Sequence, residues 1–422
     1  MPDFTVQLLP TLHQNKIHDL DLGEEIIYPA YWGQSILNIP SSICHWLGVP
    51  ALESPKLMPQ ILEAVQGEYQ RVVLILMDAL ALHRLQRWMA DGTAPIWQEL
   101  SQQGLLAPIT SITPSTTSAA LTTFWTGRSA AQHGITGYEM WMKEYGIIAN
   151  TILHAPITFK NDVGSLERAG FEPEKYLPFP TLATHFTSHC IHTYAMQHHS
   201  IARSGLSKML MKQADIQTYN TAADLWINLR KTIEHKPNQK SYFWVYWSEV
   251  DHFGHLYGPD DERTAAEFSH FSQAMQHLFL ERLNPALRKD TLLILTADQG
   301  QINTMLQARY ELRNHPDLLQ HLHLYPTGEN RLAFFYTKPE EKEAVRQYIF
   351  STWPGEFSVV DSNHAAKAGL FGPGTQHPGL QDRIGDLIAV AHKNAYFWWA
   401  DKDNPLTGRH GGLHPEEMLV PF

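Results

Sequence analysis

Arg71-Val72-Val73-Leu74-Ile75-Leu76-Met77-Asp78 is the stretch on which the fold turns. After Arg71 the run is aliphatic with no polar residue alternating into it, which reads as a strand buried on both faces. It stops at an aspartate. The pattern recurs at 242–247 (YFWVYW), followed by Asp251, and at Thr291–Thr296 (TLLILT), followed by Asp298. Helical patterns over 79–90, 118–125, 219–235 and 261–283 lie between or beside these runs. Such alternation predicts an α/β fold with a mostly parallel central sheet and helices on both faces. Ligands bind such sheets beyond the carboxyl ends of the strands, so Asp78, Asp251 and Asp298 are expected along one edge. The runs at 331–336 (RLAFFY) and 386–390 (DLIAV) read as further strands.

Working outward, 147–240 is less regular, broken by prolines and histidines, and reads as a cap or insertion that shapes substrate access. The stretch 301–381, rich in Gly and Pro towards its end, reads as a small subdomain. No repeat or clean linker divides the chain, so 1–422 is expected to be a single domain carrying both. With 422 residues and 43% hydrophobic content there is ample material for a large core. The formal charge of −11 argues against a general nucleic-acid binder. No apolar stretch approaches the roughly 18 residues of a membrane span. The opening Met1-Pro2-Asp3-Phe4-Thr5 has no basic region leading into an apolar run, so a cytoplasmic location is expected. Cys44 and Cys190 have neither a disulfide framework nor a Cys-x-x-Cys spacing and read as packed thiols.

Chemistry gathers in four segments. Thr113-Pro114-Ser115-Thr116-Thr117-Ser118-Ala119-Ala120-Leu121 has the composition of a helix start, where free N–H groups favour a phosphate. Thr117 or a neighbour would then present a hydroxyl to it. Asp251-His252-Phe253-Gly254-His255, Thr296-Ala297-Asp298-Gln299-Gly300 and Arg409-His410-Gly411-Gly412 bring carboxylates and imidazoles, a donor set for divalent cations. Cations would supply the positive charge that this acidic chain needs for an anionic substrate. Other chemistries lack their motifs: there is no G-x-S-x-G elbow, no Gly-Lys pair of a P-loop, and no C/S-x-P-x-R context in the nucleophile segment. His410 and His414 have zinc-protease spacing, but the glutamate of H-E-x-x-H is missing and Gly411-Gly412 disfavours a helix.

In their order along the chain, strand-Asp78, P-S-T-T-S-A-A-L with Thr126-Gly127, Gln132-His133-Gly134-Ile135, D-x-x-G-H, A-D-Q-G and R-H-G-G resemble the alkaline phosphatase superfamily. The likeness is to its type I phosphodiesterase/nucleotide pyrophosphatase branch, and it spans Arg71 to Gly412. It implies an alkaline-phosphatase-like core with an inserted cap. It implies two divalent ions, zinc being the expected metal and manganese compatible. Asp251, His255 and His410 would hold one ion; Asp78, Asp298 and Thr117 would hold the other. In the family the nucleophile stands nine residues before the Thr of a Thr-Gly pair, which selects Thr117. The implied function is hydrolysis of phosphodiester or pyrophosphate bonds in a small phosphate ester, such as a nucleotide, through a covalent phosphothreonine. Alternatives are a phosphomonoesterase or phosphonate hydrolase of the same superfamily, or a one-metal binding protein without catalysis.

Two departures matter. Where the family usually has a histidine completing the second metal site, this chain has Gln299. An amide carbonyl is the weaker ligand, so that site is expected to bind less tightly, to prefer a harder ion such as manganese or magnesium, or to recruit His133, His364 or His414. The asparagine that animal-type relatives place after His-Gly is absent, and Tyr138 in Ile135-Thr136-Gly137-Tyr138 is expected to be a packed aromatic. The clusters His185-His189-His192 and His198-His199 read as cap-surface residues.

Overall fold

The computed structural model describes residues 3–158 and 162–422, so Met1 and Pro2 of the opening segment and three residues of the expected cap lie outside the described residues. Five parallel strands form the central sheet in the order Asp215–Tyr219, His192–His198, Ser241–Trp247, Arg71–Met77, Thr291–Thr296. Every residue of Arg71–Met77 and Ser241–Trp247 is buried, as the unbroken apolar runs require of strands covered on both sides. Register brings the acids together. Met77 pairs with Trp247 and Leu76 with Thr296, so the chain leaves all three strands at one edge. Asp78 follows immediately, its N–H donating to the Trp247 carbonyl at 2.9 Å.

Helices flank this sheet. The patterns read from sequence become Leu82–Ala90, Thr117–Thr126, Ala222–His235 and Glu262–Met275. The first starts late because the chain turns sharply after Asp78, with Ala79 at φ 62°.

RLAFFY and DLIAV do form strands, Leu332–Thr337 and Leu387–Ala391, but in a second sheet of seven strands whose recorded pairs are antiparallel. The other strands are Phe357–Asp361, Leu322–Glu329, Glu139–Met142, Ile147–Asn150 and Ala155–Pro156. Leu332, Phe334 and Tyr336 join the main core. Ala333 and Phe335 join a second core with Tyr310, Trp353 and Phe397. Both faces are apolar, so the two-residue alternation of a strand is silent in the sequence.

The expected subdivisions are redistributed. Of 147–240, the first strands belong to the antiparallel sheet, whereas His192–His198, Asp215–Tyr219 and Ala222–His235 build the parallel sheet and its cover. Of 301–381, three strands are part of the antiparallel sheet. An irregular composition marked chain that crosses between sheets. Among the described residues, no helix is long and apolar enough to cross a membrane.

Candidate active site

The nucleophile segment enters its helix with Thr116 as the extended cap residue, and the helix ends where Gly127 adopts φ 60°. Four hydroxyls crowd this start, and three are committed. Ser115 Oγ donates to the Gly412 carbonyl at 2.7 Å, Thr116 Oγ1 to Glu329 Oε1 at 2.5 Å, and Ser118 Oγ to the Gly137 carbonyl at 3.0 Å. Thr117 Oγ1 instead faces Gln299, whose Nε2 lies 3.3 Å away. Geometry thus separates Thr117 from its neighbours.

Asp251, His255 and His410 form one cluster, each offering a ligand atom within 4.8 Å of the others. Asp251 and His255 stand one turn apart on helix Glu249–Tyr257, with His255 Nε2 3.3 Å from Asp251 Oδ1. His410 comes from a remote part of the chain. An antiparallel bridge between Ser115 and Gly411 places it, and its Nε2 lies 3.8 Å from the same carboxylate oxygen. Each imidazole's Nδ1 meets a carbonyl, His255 that of Gly408 at 2.8 Å and His410 that of Ser115 at 3.2 Å. With Nδ1–H donating there, Nε2 is left with a lone pair facing Asp251, the tautomer a cation requires. Burial lowers His410 to about 4, so it is neutral and ready to ligate at pH 7. Gln301 Nε2 donates to both the carbonyl and the carboxylate of Asp251 and holds the latter in place.

Asp78, Asp298, Thr117 and Gln299 form the second cluster, deeper in the molecule: Asp78 is 2% exposed, Asp298 and Gln299 0%. Tyr246 donates its hydroxyl to Asp78 Oδ2, and Gln299 Nε2 lies 2.9 Å from Asp78 Oδ1. Asp298 Oδ1 accepts the N–H groups of Ala79 at 3.3 Å and Gln299 at 3.0 Å. Asp298 Oδ2 and Gln299 Oε1 are buried without a partner. Burial raises both aspartates, Asp298 to about 7 and Asp78 well above the usual carboxylate range, and the neighbouring carboxylates add to the rise at Asp78. Two crowded buried acids with an unpartnered oxygen are chemically suited to a cation.

The imidazole cluster and, from the deeper cluster, Thr117 border a cavity of ≈ 350 Å³ that also meets Thr116, Tyr138, Glu139, Glu329, Trp399 and Lys402. Tyr138 is 41% exposed rather than packed and lines the cavity, and its N–H donates to Glu329 Oε1 at 2.8 Å. The histidines expected as substitutes are engaged elsewhere. His133 lies between Thr123 Oγ1 and the Ile135 N–H, His414 caps a helix through the Glu416 N–H, and His364 contacts the Asp19 carbonyl. His185, His189, His192, His198 and His199 take no part in the site; His185 contacts the Pro50 carbonyl, and His198 pairs with Ser200.

Glu329, Gln301 and Tyr246 were not signalled by the sequence. Glu329 sits in Thr327-Gly328-Glu329-Asn330, indistinguishable there from a solvated turn acid, yet it is buried and pushed up to about 8 by that burial. The close packing of Gly411 marks its place, since a Cβ there would lie 2.3 Å from Glu329 Cβ.

A family model described as type I phosphodiesterase / nucleotide pyrophosphatase matches residues 72–413. No curated protein matches the chain by sequence. Among solved structures, murine ectonucleotide pyrophosphatase/phosphodiesterase 5, in an inactive form in complex with AMP, is similar at TM-score 0.59 and 17% identity, over 83% of this chain and 87% of that one. Phosphonoacetate hydrolase from Sinorhizobium meliloti 1021, in complex with phosphonoformate, is similar at TM-score 0.59 and 16% identity, over 83% and 88%. Likeness at these identities speaks for the fold.

Proposed function

We propose, for a chain that belongs to the type I phosphodiesterase/nucleotide pyrophosphatase family and is a phosphoric ester hydrolase, that Thr117 cleaves phosphodiester or pyrophosphate bonds of a small substrate such as a nucleotide. The observation that carries this reading is the Thr117 hydroxyl, which among the described residues accepts from Gln299 Nε2 and donates to no protein acceptor, at a helix N-terminus on the cavity wall. Asp251, His255 and His410 would hold one divalent ion, for which zinc suits the imidazoles, and Asp78, Asp298 and Thr117 would hold a second. Bound there, cations supply Lewis-acid charge and make a threonine hydroxyl a competent nucleophile at neutral pH.

The chain's own groups set the geometry. N–H groups in the first turn of Thr117–Thr126 lack intrahelical partners and suit phosphoryl oxygens. Thr117 Oγ1 forms the new bond to phosphorus as the bond to the leaving oxygen breaks. Water then attacks the phosphothreonine, and two inversions give net retention. The cavity favours a diester over a dianionic monoester or a carboxylated phosphonate. Apart from the cation ligands, Glu139 and Lys402 are the charged groups that border it, whereas the guanidinium of Arg409 is committed to Thr304, Asn404 and the Leu406 carbonyl, which leaves one lysine to meet a further negative charge.

Hydrolysis of bis-(p-nitrophenyl) phosphate beside p-nitrophenyl phosphate and phosphonoacetate, with zinc, manganese or magnesium and Thr117→Ala as blank, tests the reading. Diester turnover should exceed the other two and vanish in the variant. Dominant phosphonoacetate turnover would assign phosphonate hydrolysis instead, and diester turnover surviving in Thr117→Ala would reject the covalent route.

A further inference from the structure

The deeper cluster differs from its neighbour in donor chemistry, and each of its residues brings one oxygen that hydrogen-bonds to no described residue outside the cluster. Tyr246 takes Asp78 Oδ2 and leaves Oδ1. Two backbone N–H groups take Asp298 Oδ1 and leave Oδ2. Thr117 leaves Oγ1, and Gln299 leaves Oε1, buried and without a partner. Among the described residues, the three histidines expected as substitutes do not join them: His133 and His414 are engaged elsewhere and His364 is at the surface.

The ends of a side-chain amide are alike in shape, and which one faces inward follows from what lies opposite. Here Nε2 donates to Asp78 Oδ1 at 2.9 Å and to Thr117 Oγ1 at 3.3 Å. A half-turn of the amide puts Oε1 in that place. Oxygens about 2.1 Å from a small divalent ion and at right angles to one another stand about 3.0 Å apart, so the spacing matches one edge of an octahedron.

Resting on the reading above, we propose that Gln299 makes the two cation positions unequal: Asp251, His255 and His410 take zinc, while Asp78, Thr117, Asp298 and Gln299 form an all-oxygen site for manganese or magnesium. Imidazole suits zinc, whereas carboxylate, carbonyl and hydroxyl oxygens suit the harder ions. A histidine at 299 would erase the distinction.

Metal content tests this without substrate. The full chain is stripped with chelator, dialysed against low zinc with manganese in large excess, since a given site binds manganese more weakly than zinc, freed of loose ions, and assayed by elemental analysis and manganese electron paramagnetic resonance. One zinc and one manganese per chain are expected, shifting in Gln299→His to two zinc and no manganese. Should that variant fold poorly by circular dichroism, Gln299→Glu adds a carboxylate and should keep the one-to-one content while tightening manganese by roughly tenfold. Two zinc ions in the unaltered chain, one ion in total, or an unchanged ratio in Gln299→His would overturn the assignment. A silent phosphodiester assay alongside one zinc and one manganese would instead count against the hydrolytic reading alone.

Discussion

The imidazole cluster and the oxygen cluster meet across Thr117 at one cavity but are built by opposite means. Asp78 and Asp298 leave adjacent parallel strands within two residues of their ends, so the sheet's register positions them. The imidazole cluster joins a helix to a distant loop through a bridge and a few hydrogen bonds, and the Asp251 side chain keeps 18% of its exposure. A strand edge gives burial and rigidity at once; a loop gives access and depends on whatever ties it down.

The largest effect belongs to the residue between the clusters. Thr117→Ala should reduce diester turnover by at least about 10⁴-fold while leaving the melting temperature nearly unchanged, since it removes the attacking atom and little packing. His410→Ala is the next sharpest cut. It should lower zinc affinity at the imidazole cluster by more than about 100-fold and spare manganese at the oxygen cluster, as read by equilibrium dialysis. Loss of both ions together would show that the clusters do not act separately.

One residue links them. The Glu417 carboxylate accepts Arg331 Nε at 2.8 Å and the Gly412 N–H at 2.9 Å, while its carbonyl accepts the Gly300 N–H at 2.8 Å. The Arg331–Glu417 pair is fully buried. Glu417→Ala strands the guanidinium and should cost about 3–5 kcal/mol in denaturant unfolding, weakening metal at both clusters. A cost confined to the imidazole side would mean that the Gly300 turn holds itself.

The smallest effect is a pH dependence at the cavity wall. Burial raises Glu329 from 4.5 to about 8, so between those values the folded chain holds a proton that the unfolded chain has lost. Stability from this group is whole below pH about 4.5 and is lost as pH rises through 8. Glu329→Gln, neutral throughout, should therefore gain on the unaltered chain by about 1–3 kcal/mol between pH 6 and 9 in parallel melts. Equal pH profiles would show Glu329 to be ionised when folded.

The same contrast governs what could be read in advance. Strands Arg71–Met77, Ser241–Trp247 and Thr291–Thr296 and the acids after them were legible, because an apolar run and its terminating charge are local signals. The placement of RLAFFY and DLIAV in a second sheet was not, because strands apolar on both faces carry no sign of the sheet they join. Tyr138 was misjudged for a related reason. Its backbone is held at the cavity wall by Glu329, 191 residues away.

By itself the sequence determined the parallel sheet and the family, and it named candidate donors, including the amide at 299 where an imidazole is usual. Tertiary structure decided that Thr117 rather than Ser115, Thr116 or Ser118 meets the Gln299 amide, that Glu329 enters the cavity wall, and that His133, His364 and His414 are engaged away from Gln299. The physical reason is reach. Hydrophobic runs and motif spacing act over a few residues along the chain, whereas hydrogen-bond commitment and desolvation depend on groups hundreds of residues apart that only the packed sheets bring together.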